Sequence, residues 1–429
     1  MTYPETIEFL FNSLPVFQHT GGGAYKAGLD NITALCVHLG DPQERFRSVH
    51  VAGTNGKGSV SHMAASVLTA SGMRTGLFTS PHLRDFRERI RIDGETIPEE
   101  TVVEFVKNNR DAIDRIQPSF FELTTAMAFD WFARAGVDVA VIETGMGGRL
   151  DSTNIVSPIV SVITNIGLDH TQFLGETLQE VAGEKAGIIK PQTPVVVGES
   201  DIETKLVFID TAREKGAPIL FADQCYRVVE TIADNEKHVF RIKNLMHGNE
   251  FELYCDLQGI YQRKNIITAL TLFDILNGAG RIPLSQEAVR RGLSLVAAST
   301  GLMGRWQVIG RGPLIVCDTG HNAEGIREVA VQISRQEYEK LYMVMGFVSD
   351  KDIEKVLPLL PLEAHYIFTK ASIPRALGET ALAERAAAYG LRGETAPTVA
   401  RALARAKELA SPADMIFIGG STFVVAEAL

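Results

Sequence analysis

Residues Gly53-Thr54-Asn55-Gly56-Lys57-Gly58-Ser59 gather glycines, an ammonium and hydroxyls into one short segment. They stand between the apolar run Val49-His50-Val51-Ala52 and a helical pattern in which Val60, Met63, Ala64, Val67 and Leu68 repeat until Gly72. Strand, glycine turn, lysine, hydroxyl and helix in that order make a cradle for a nucleotide triphosphate. Small residues let backbone N–H groups approach phosphate oxygens, and the helix N-terminus adds partial positive charge. Lys57 can reach the terminal phosphates and Ser59 can ligate magnesium. The loop departs from the ordinary phosphate-binding pattern twice. Val51 stands where the first glycine belongs, and Gly58 separates the lysine from the hydroxyl.

Other chemistry-bearing residues follow apolar runs. Val137 to Ile142 ends at Glu143-Thr144-Gly145-Met146-Gly147-Gly148-Arg149-Leu150-Asp151. An acidic residue at the C-terminal end of a buried parallel strand lies where ligands of such sheets collect. Glu143 can bind magnesium directly or through water, or it can cap a helix. The glycines after it lack the spacing of a dinucleotide fingerprint. Ile163-Thr164-Asn165-Ile166-Gly167-Leu168-Asp169-His170 follows the next run, and its histidine is either a ligand or a structural loop residue. Lys185 is flanked by alanine and glycine, which suggests close packing against backbone or ligand; pairing with a nearby carboxylate is the alternative. Asn265 lies in Gln262-Arg263-Lys264-Asn265, the start of a helix continued by Ile266, Ile267, Ala269 and Leu270. Arg305 offers a planar fork for phosphate oxygens, or a surface charge. Asp318 and His321 follow the run Pro313 to Cys317. No Ser-His-Asp order and no activated cysteine is found.

Strand-like runs alternating with helical stretches predict an α/β protein with a mostly parallel sheet. Strands are expected at Ser48 to Ala52, Val137 to Glu143, Ile159 to Thr164 and Pro194 to Val197, then at Pro313 to Cys317, Leu341 to Gly346, His365 to Thr369 and Asp414 to Ile418. Between Cys225 and Leu257 the pattern changes to a small antiparallel sheet: Arg227 to Val229, His238 to Ile242 and Phe251 to Tyr254. The small-residue stretch Ala297 to Gly304 reads as a linker. The expected division is therefore an ATP-binding, phosphate-loop domain over 1–297 and a smaller Rossmann-like α/β domain over 298–429.

The 429 residues suffice for two or three domains, and 45% hydrophobic with 22% charged residues describes an ordinary globular protein. A net charge of −10 argues against a general nucleic-acid binder. Cys36, Cys225, Cys255 and Cys317 have no paired spacing for zinc or a redox dithiol, as expected of thiols in a reducing compartment. The N-terminus lacks the basic and apolar regions of a signal peptide, and no apolar run is long enough to span a bilayer. A cytoplasmic enzyme without nucleic-acid or membrane partners is expected.

The segment GTNGKGS, followed by Thr79-Ser80-Pro81-His82-Leu83, closely resembles folylpolyglutamate synthase and dihydrofolate synthase, of the ATP-dependent Mur ligase superfamily. Matching blocks extend from about Val49 to His321, including ETGMGGRLDSTN and the segment ending at His170. Gly58, where the cell-wall Mur enzymes usually carry threonine, and the TSPHL block favour the folate branch. The resemblance implies that Thr54, Asn55, Gly56, Lys57, Gly58 and Ser59 bind ATP, with Asn265 on the adenine side, Arg305 on phosphate oxygens and Asp318 on the ribose. It implies two magnesium ions: Ser59, Ser80 and Glu143 serve the first, Glu143 and His170 the second. It also implies a carbamylated Lys185, His321 near the phosphate or the incoming amine, and an active site in the cleft between the domains. Phe121 and Thr124, in Ser119-Phe120-Phe121-Glu122-Leu123-Thr124-Thr125, are assigned to the pterin side. Tyr261, Thr319, Gly320 and Ala323 depart from the family pattern. The activity so implied is ATP-dependent addition of L-glutamate to dihydropteroate, to reduced folylglutamates through a γ-linked bond, or to both, by a monomer. A Mur-type cell-wall ligase would share Lys57, Glu143, His170 and Lys185, but only about 47 residues precede the first strand, too few for its usual nucleotide-binding domain. A non-catalytic ATP-binding regulator is the reading from a different class.

Overall fold

The computed structural model describes residues 1–15, 28–234, 237–278, 281–349 and 351–429. Two compact units divide the chain. One takes nearly all residues up to Leu302, and the other takes Met303–Leu429 with the short segment Leu257–Ile260.

The first unit is built on eight strands: β1 (Arg47–Ala52), β2 (Thr75–Phe78), β3 (Ile90–Ile92), β4 (Glu95–Thr96), β5 (Val139–Glu143), β6 (Val160–Ile163), β7 (Val195–Val197) and β8 (Ile219–Phe221). Their order across the sheet is β4-β3-β2-β5-β1-β6-β7-β8. The pairs from β2 to β8 are parallel, and β3 and β4 add an antiparallel edge. Every residue of β5 and β6 is buried, which is why these strands read as continuous apolar runs rather than alternating ones. One face packs on the helix Phe120–Ala135, with Phe78, Phe129 and Phe132 fully enclosed. Further along the same face a smaller core joins Ile163, Val195 and Val197 to Ala182, Ala186 and Phe208, since the register aligns Phe78, Ile142, Ala52, Ile163 and Val197 on one side. Phe129→Ala should remove about 3–5 kcal/mol of stability by leaving a cavity in this packing. A lowered urea midpoint with unchanged slope would register it.

An antiparallel sheet of β9 (Tyr226–Asp234), β10 (Lys237–Asn244) and β11 (Glu250–Cys255) completes the unit, in the order β11-β10-β9. On its exposed side Arg241 lies between Glu230 and Glu252 at 2.8 and 3.6 Å, an ion-pair ladder across all three strands.

The second unit holds β12 (Gln307–Gly310), β13 (Leu314–Cys317), β14 (Leu341–Met345), β15 (His365–Phe368), β16 (Arg392–Thr395) and β17 (Met415–Gly419). The order is β12-β13-β17-β14-β15-β16, parallel throughout except for β12 against β13. Separate apolar cores cover its two faces, as a doubly wound sheet requires.

The expected linker Ala297 to Gly304 does contain the division between the units, at Leu302/Met303. Its first half is not a bare connection, because Val296–Thr300 is helical and ends at Gly301 in the left-handed region (φ 66°). Its small side chains serve close packing. Ser299 Oγ lies 2.8 Å from Ser66 Oγ and Thr300 Oγ1 2.7 Å from His62 Nδ1, both on the helix Lys57–Ala70. Small residues mark tight contact as readily as they mark a flexible connection. No helix among the described residues is long and apolar enough to cross a membrane.

Candidate functional site in the first unit

At the centre of the sheet β1 is flanked by β5 and β6, so the loops leaving all three strands emerge at one edge. The glycine loop after β1 is clamped by the loop after β6. Thr164 Oγ1 donates to the Asn55 carbonyl at 2.6 Å, and the Thr54 amide donates to the Asn165 carbonyl at 2.9 Å. The Asn55 amide donates to Asn165 Oδ1 at 2.8 Å, and the Gly167 amide to Thr54 Oγ1 at 2.9 Å. Gly53 (φ 151°) admits no side chain, since a Cβ there would lie 1.9 Å from Thr164 Oγ1. Gly56 (φ 84°) caps the helix Lys57–Ala70, and a Cβ there would meet Asn265 Oδ1 at 2.3 Å. The loop is therefore held rigid before any nucleotide arrives, with a helix N-terminus behind it.

Two ammonium groups converge on one carbonyl. Lys57 Nζ donates to the oxygens of Gly53 (2.9 Å) and Thr54 (3.2 Å), and Lys185 Nζ donates to the same Gly53 oxygen at 3.0 Å. Lys185 is buried, on the helix Leu178–Ala186. Burial, and then the charge of Lys57, push its amine down to about 7. Its helix is pressed against the loop after β5. A Cβ on Gly148 would lie 2.9 Å from the Glu184 carbonyl, and one on Gly187 would lie 2.4 Å from Arg149 Cα.

Glu143 ends β5 as a buried carboxylate, and its Oε2 accepts the Ser80 amide at 3.1 Å. The loop beyond it is anchored by buried Asp151, whose Oδ2 accepts the Met146 amide at 2.9 Å and whose Oδ1 takes the Thr153 amide at 3.0 Å. Thr153 Oγ1 in turn meets His50 Nε2 at 2.8 Å inside β1. Ser59 Oγ accepts from Gln262 Nε2 at 3.2 Å, and Gln262 Oε1 accepts from Asn265 Nδ2 at 2.7 Å. Gln262 was given no role from the sequence, where its partners Ser59 and Asn265 both carried one. His170 has a left-handed backbone (φ 53°), held by its amide on Asp169 Oδ1 at 2.8 Å.

Among the described residues no three His, Cys, Asp or Glu side chains cluster as a metal cage. The donors expected at the first metal are hydroxyls and one carboxylate, hard oxygens that suit magnesium completed by water and nucleotide phosphates. Phe121 lies over Gly145, with its ring 2.6 Å from where a Cβ would stand. Thr124 belongs elsewhere. It is 0% exposed and its hydroxyl donates to the Phe120 carbonyl at 2.7 Å, so it presents no surface for a pterin.

In the second unit Asp318 follows β13. Its two oxygens accept the amides of Trp306 (2.7 Å) and Gly320 (2.8 Å), which ties the segment around Arg305 to the strand end. Arg305 Nη1 donates to Thr319 Oγ1 and to the Gly304 carbonyl, the latter at 3.2 Å. Thr319, a departure from the family pattern, thus orients Arg305. His321 Nδ1 lies 3.0 Å from the Thr319 carbonyl, just before the helix Ala323–Ile333.

Residues 51–273 match the Mur ligase middle domain, and residues 304–422 match the Mur ligase glutamate ligase domain. The chain is 36% identical to a probable bifunctional folylpolyglutamate synthase/dihydropteroate synthase of Haloferax volcanii, over 100% of this chain and 50% of the relative, so it spans half the length of that protein. It is 34% identical to the folylpolyglutamate synthase of Lacticaseibacillus casei over 88% of each chain. The Mycobacterium tuberculosis folylpolyglutamate synthase complexed with ADP superposes with a TM-score of 0.89 at 32% identity, over 99% of this chain and 97% of that one. A bifunctional folylpolyglutamate synthase/dihydrofolate synthase with Mn, AMPPNP and L-glutamate bound gives 0.82 at 29% identity, over 100% and 97%.

Proposed function

Because this chain belongs to the Mur ligase family, in the branch of the folylpolyglutamate and dihydrofolate synthases, we propose that it ligates L-glutamate both to dihydropteroate and to reduced folylglutamates, in the cytoplasm and as a monomer. The observation that carries the reading is the convergence of the phosphate loop, Lys57, Lys185 and the Ser80–Glu143 pair on one edge of a parallel sheet.

A carboxylate does not react with an amine, because oxide would have to leave. Transfer of the γ-phosphoryl group of ATP makes an acyl phosphate, which the glutamate amine attacks with expulsion of phosphate. The protein supplies alignment and positive charge rather than a nucleophile. Loop amides and Lys57 receive the phosphates. Ser59, Ser80 and Glu143 would hold one magnesium ion, and Glu143 with His170 a second, to neutralise phosphate charge. Carbamylated Lys185 would add an anion that supports the metal. For Arg305, Asp318 and His321 of the second unit the reading assigns phosphate, ribose, and phosphate or amine respectively. Phe121 is retained for the pterin side.

Oxygen label placed in the acid's carboxylate should appear in released phosphate, with ADP and never AMP as the nucleotide product. Phosphate mass is to be measured with labelled dihydropteroate and, separately, with a labelled reduced folylglutamate. Transfer from one alone would defeat the dual activity. Transfer from neither during confirmed turnover would defeat the acyl phosphate.

A further inference from the structure

Arg89 ends the short helical turn Phe86–Arg89 and is 3% exposed. Its carbonyl accepts the Thr79 amide at 3.0 Å, which places it beside the loop whose next residue, Ser80, donates to Glu143. Its Nε donates to His82 Nδ1 at 2.7 Å, and its guanidinium carbon stands 5.2 Å from the centroid of the Phe120 ring. A guanidinium only donates, so the His82 ring accepts through Nδ1. Two contacts thereby fix the plane of the fork.

The terminal nitrogens are left over. Neither has an acceptor among the described residues, and no carboxylate oxygen of those residues comes within the 4.0 Å of an ion pair. Neighbouring acids are engaged elsewhere. Glu88 accepts the amides of Leu83, Arg84 and Asp85, and Asp85 takes Arg87. Glu143 draws on Arg89 electrostatically, but burial outweighs it. A guanidinium so enclosed without a counter-anion is strongly unfavourable, and its free edge matches a carboxylate with two parallel bonds. Phe120 beneath it packs edge-to-face on Phe86 and tilted against Phe11, which suits an anion borne on an aromatic body rather than a hydrated phosphate.

We propose that the terminal edge of Arg89 is the subsite for the carboxylate of the acid substrate before its activation. The inference rests on the ligase reading above and gives that reading a specific anion holder. Arg89 offsets the repulsion that the acid would meet beside Glu143 and the nucleotide phosphates.

The test is a binding cycle in the presence of the non-hydrolysable nucleotide AMPPNP, with dihydropteroate and its methyl ester as probes. Wild-type protein should prefer the acid by about 10- to 100-fold, the range of a charge-assisted bidentate contact. In Arg89→Gln the preference should vanish while nucleotide affinity stays within about twofold, and Arg89→Lys should recover part of it. Equal binding of acid and ester by wild type, or a preference that survives in a folded Arg89→Gln, overturns the subsite. So does a loss confined to nucleotide and magnesium affinity, which would make Arg89 a support for Glu143. The product assay with glutamate is separate: acid preference without glutamylated product overturns the ligase reading and leaves the anion subsite standing.

Discussion

Lys57→Ala is expected to lower the ligation rate by about 10²–10³-fold or more, the scale on which removing one preorganised electrostatic contact acts. In this structure the ammonium sits on the Gly53 and Thr54 carbonyls, within reach of phosphates placed in the loop. The side chain fills no core, so circular dichroism should be unchanged. A second effect follows from its neighbour. The charge of Lys57 is the second cause, after burial, of the depressed Lys185 amine. Without it Lys185 holds its proton to higher pH, so whatever activity remains should be shifted toward alkaline conditions. Turnover near the wild-type rate would remove the nucleotide assignment.

Lys185→Ala should be comparably severe, about 10²-fold or more, if the residue works as a carbamate that supports the metal. Carbamate forms from the neutral amine and carbon dioxide and releases a proton. An amine held at about 7 is largely neutral at pH 8 and largely charged at pH 6. Stripping carbon dioxide should therefore reduce activity, and restoring it should recover more at pH 8 than at pH 6. A short carboxylic acid should partly rescue Lys185→Ala by replacing the anion. Carbon-13 NMR of protein under labelled carbon dioxide provides the direct reading. An active, metal-loaded enzyme without the carbamate signal would discard the modification.

Several of the strands legible in the sequence are buried on both faces, although the equally buried Thr75–Phe78 was not expected. Val139 to Glu143 and Val160 to Ile163 lie inside apolar runs because no residue in them meets water. The edges were not legible. Arg392–Thr395 is largely exposed, and Ile90–Ile92 carries a buried arginine, Arg91, whose Nη1 donates to the Gly94 carbonyl. Neither segment has the composition of a strand. The phosphate loop was legible because its chemistry is contiguous. The bonds from Gln262 to Ser59 and from Asn165 to Asn55 join residues remote in sequence, and only the fold brings them together. Phe121 and Thr124 share one motif, but Thr124 lies nearly a turn deeper in its helix, and depth is set by packing rather than by the motif.

The central position of β1 has a consequence for how the chain is made. Arg47 pairs with Val139, and Val49 pairs with Val160, so the strand bearing the phosphate loop has no lateral partner until on the order of ninety more residues exist. At ribosomal speed that wait is roughly 5–20 s. During it an apolar strand with two open edges must be kept from other chains. Such long-range parallel pairing folds slowly, and the site cannot assemble on a nascent chain shorter than the helix that carries Lys185. Truncated translation products of this enzyme should therefore be clients of chaperones rather than weak catalysts.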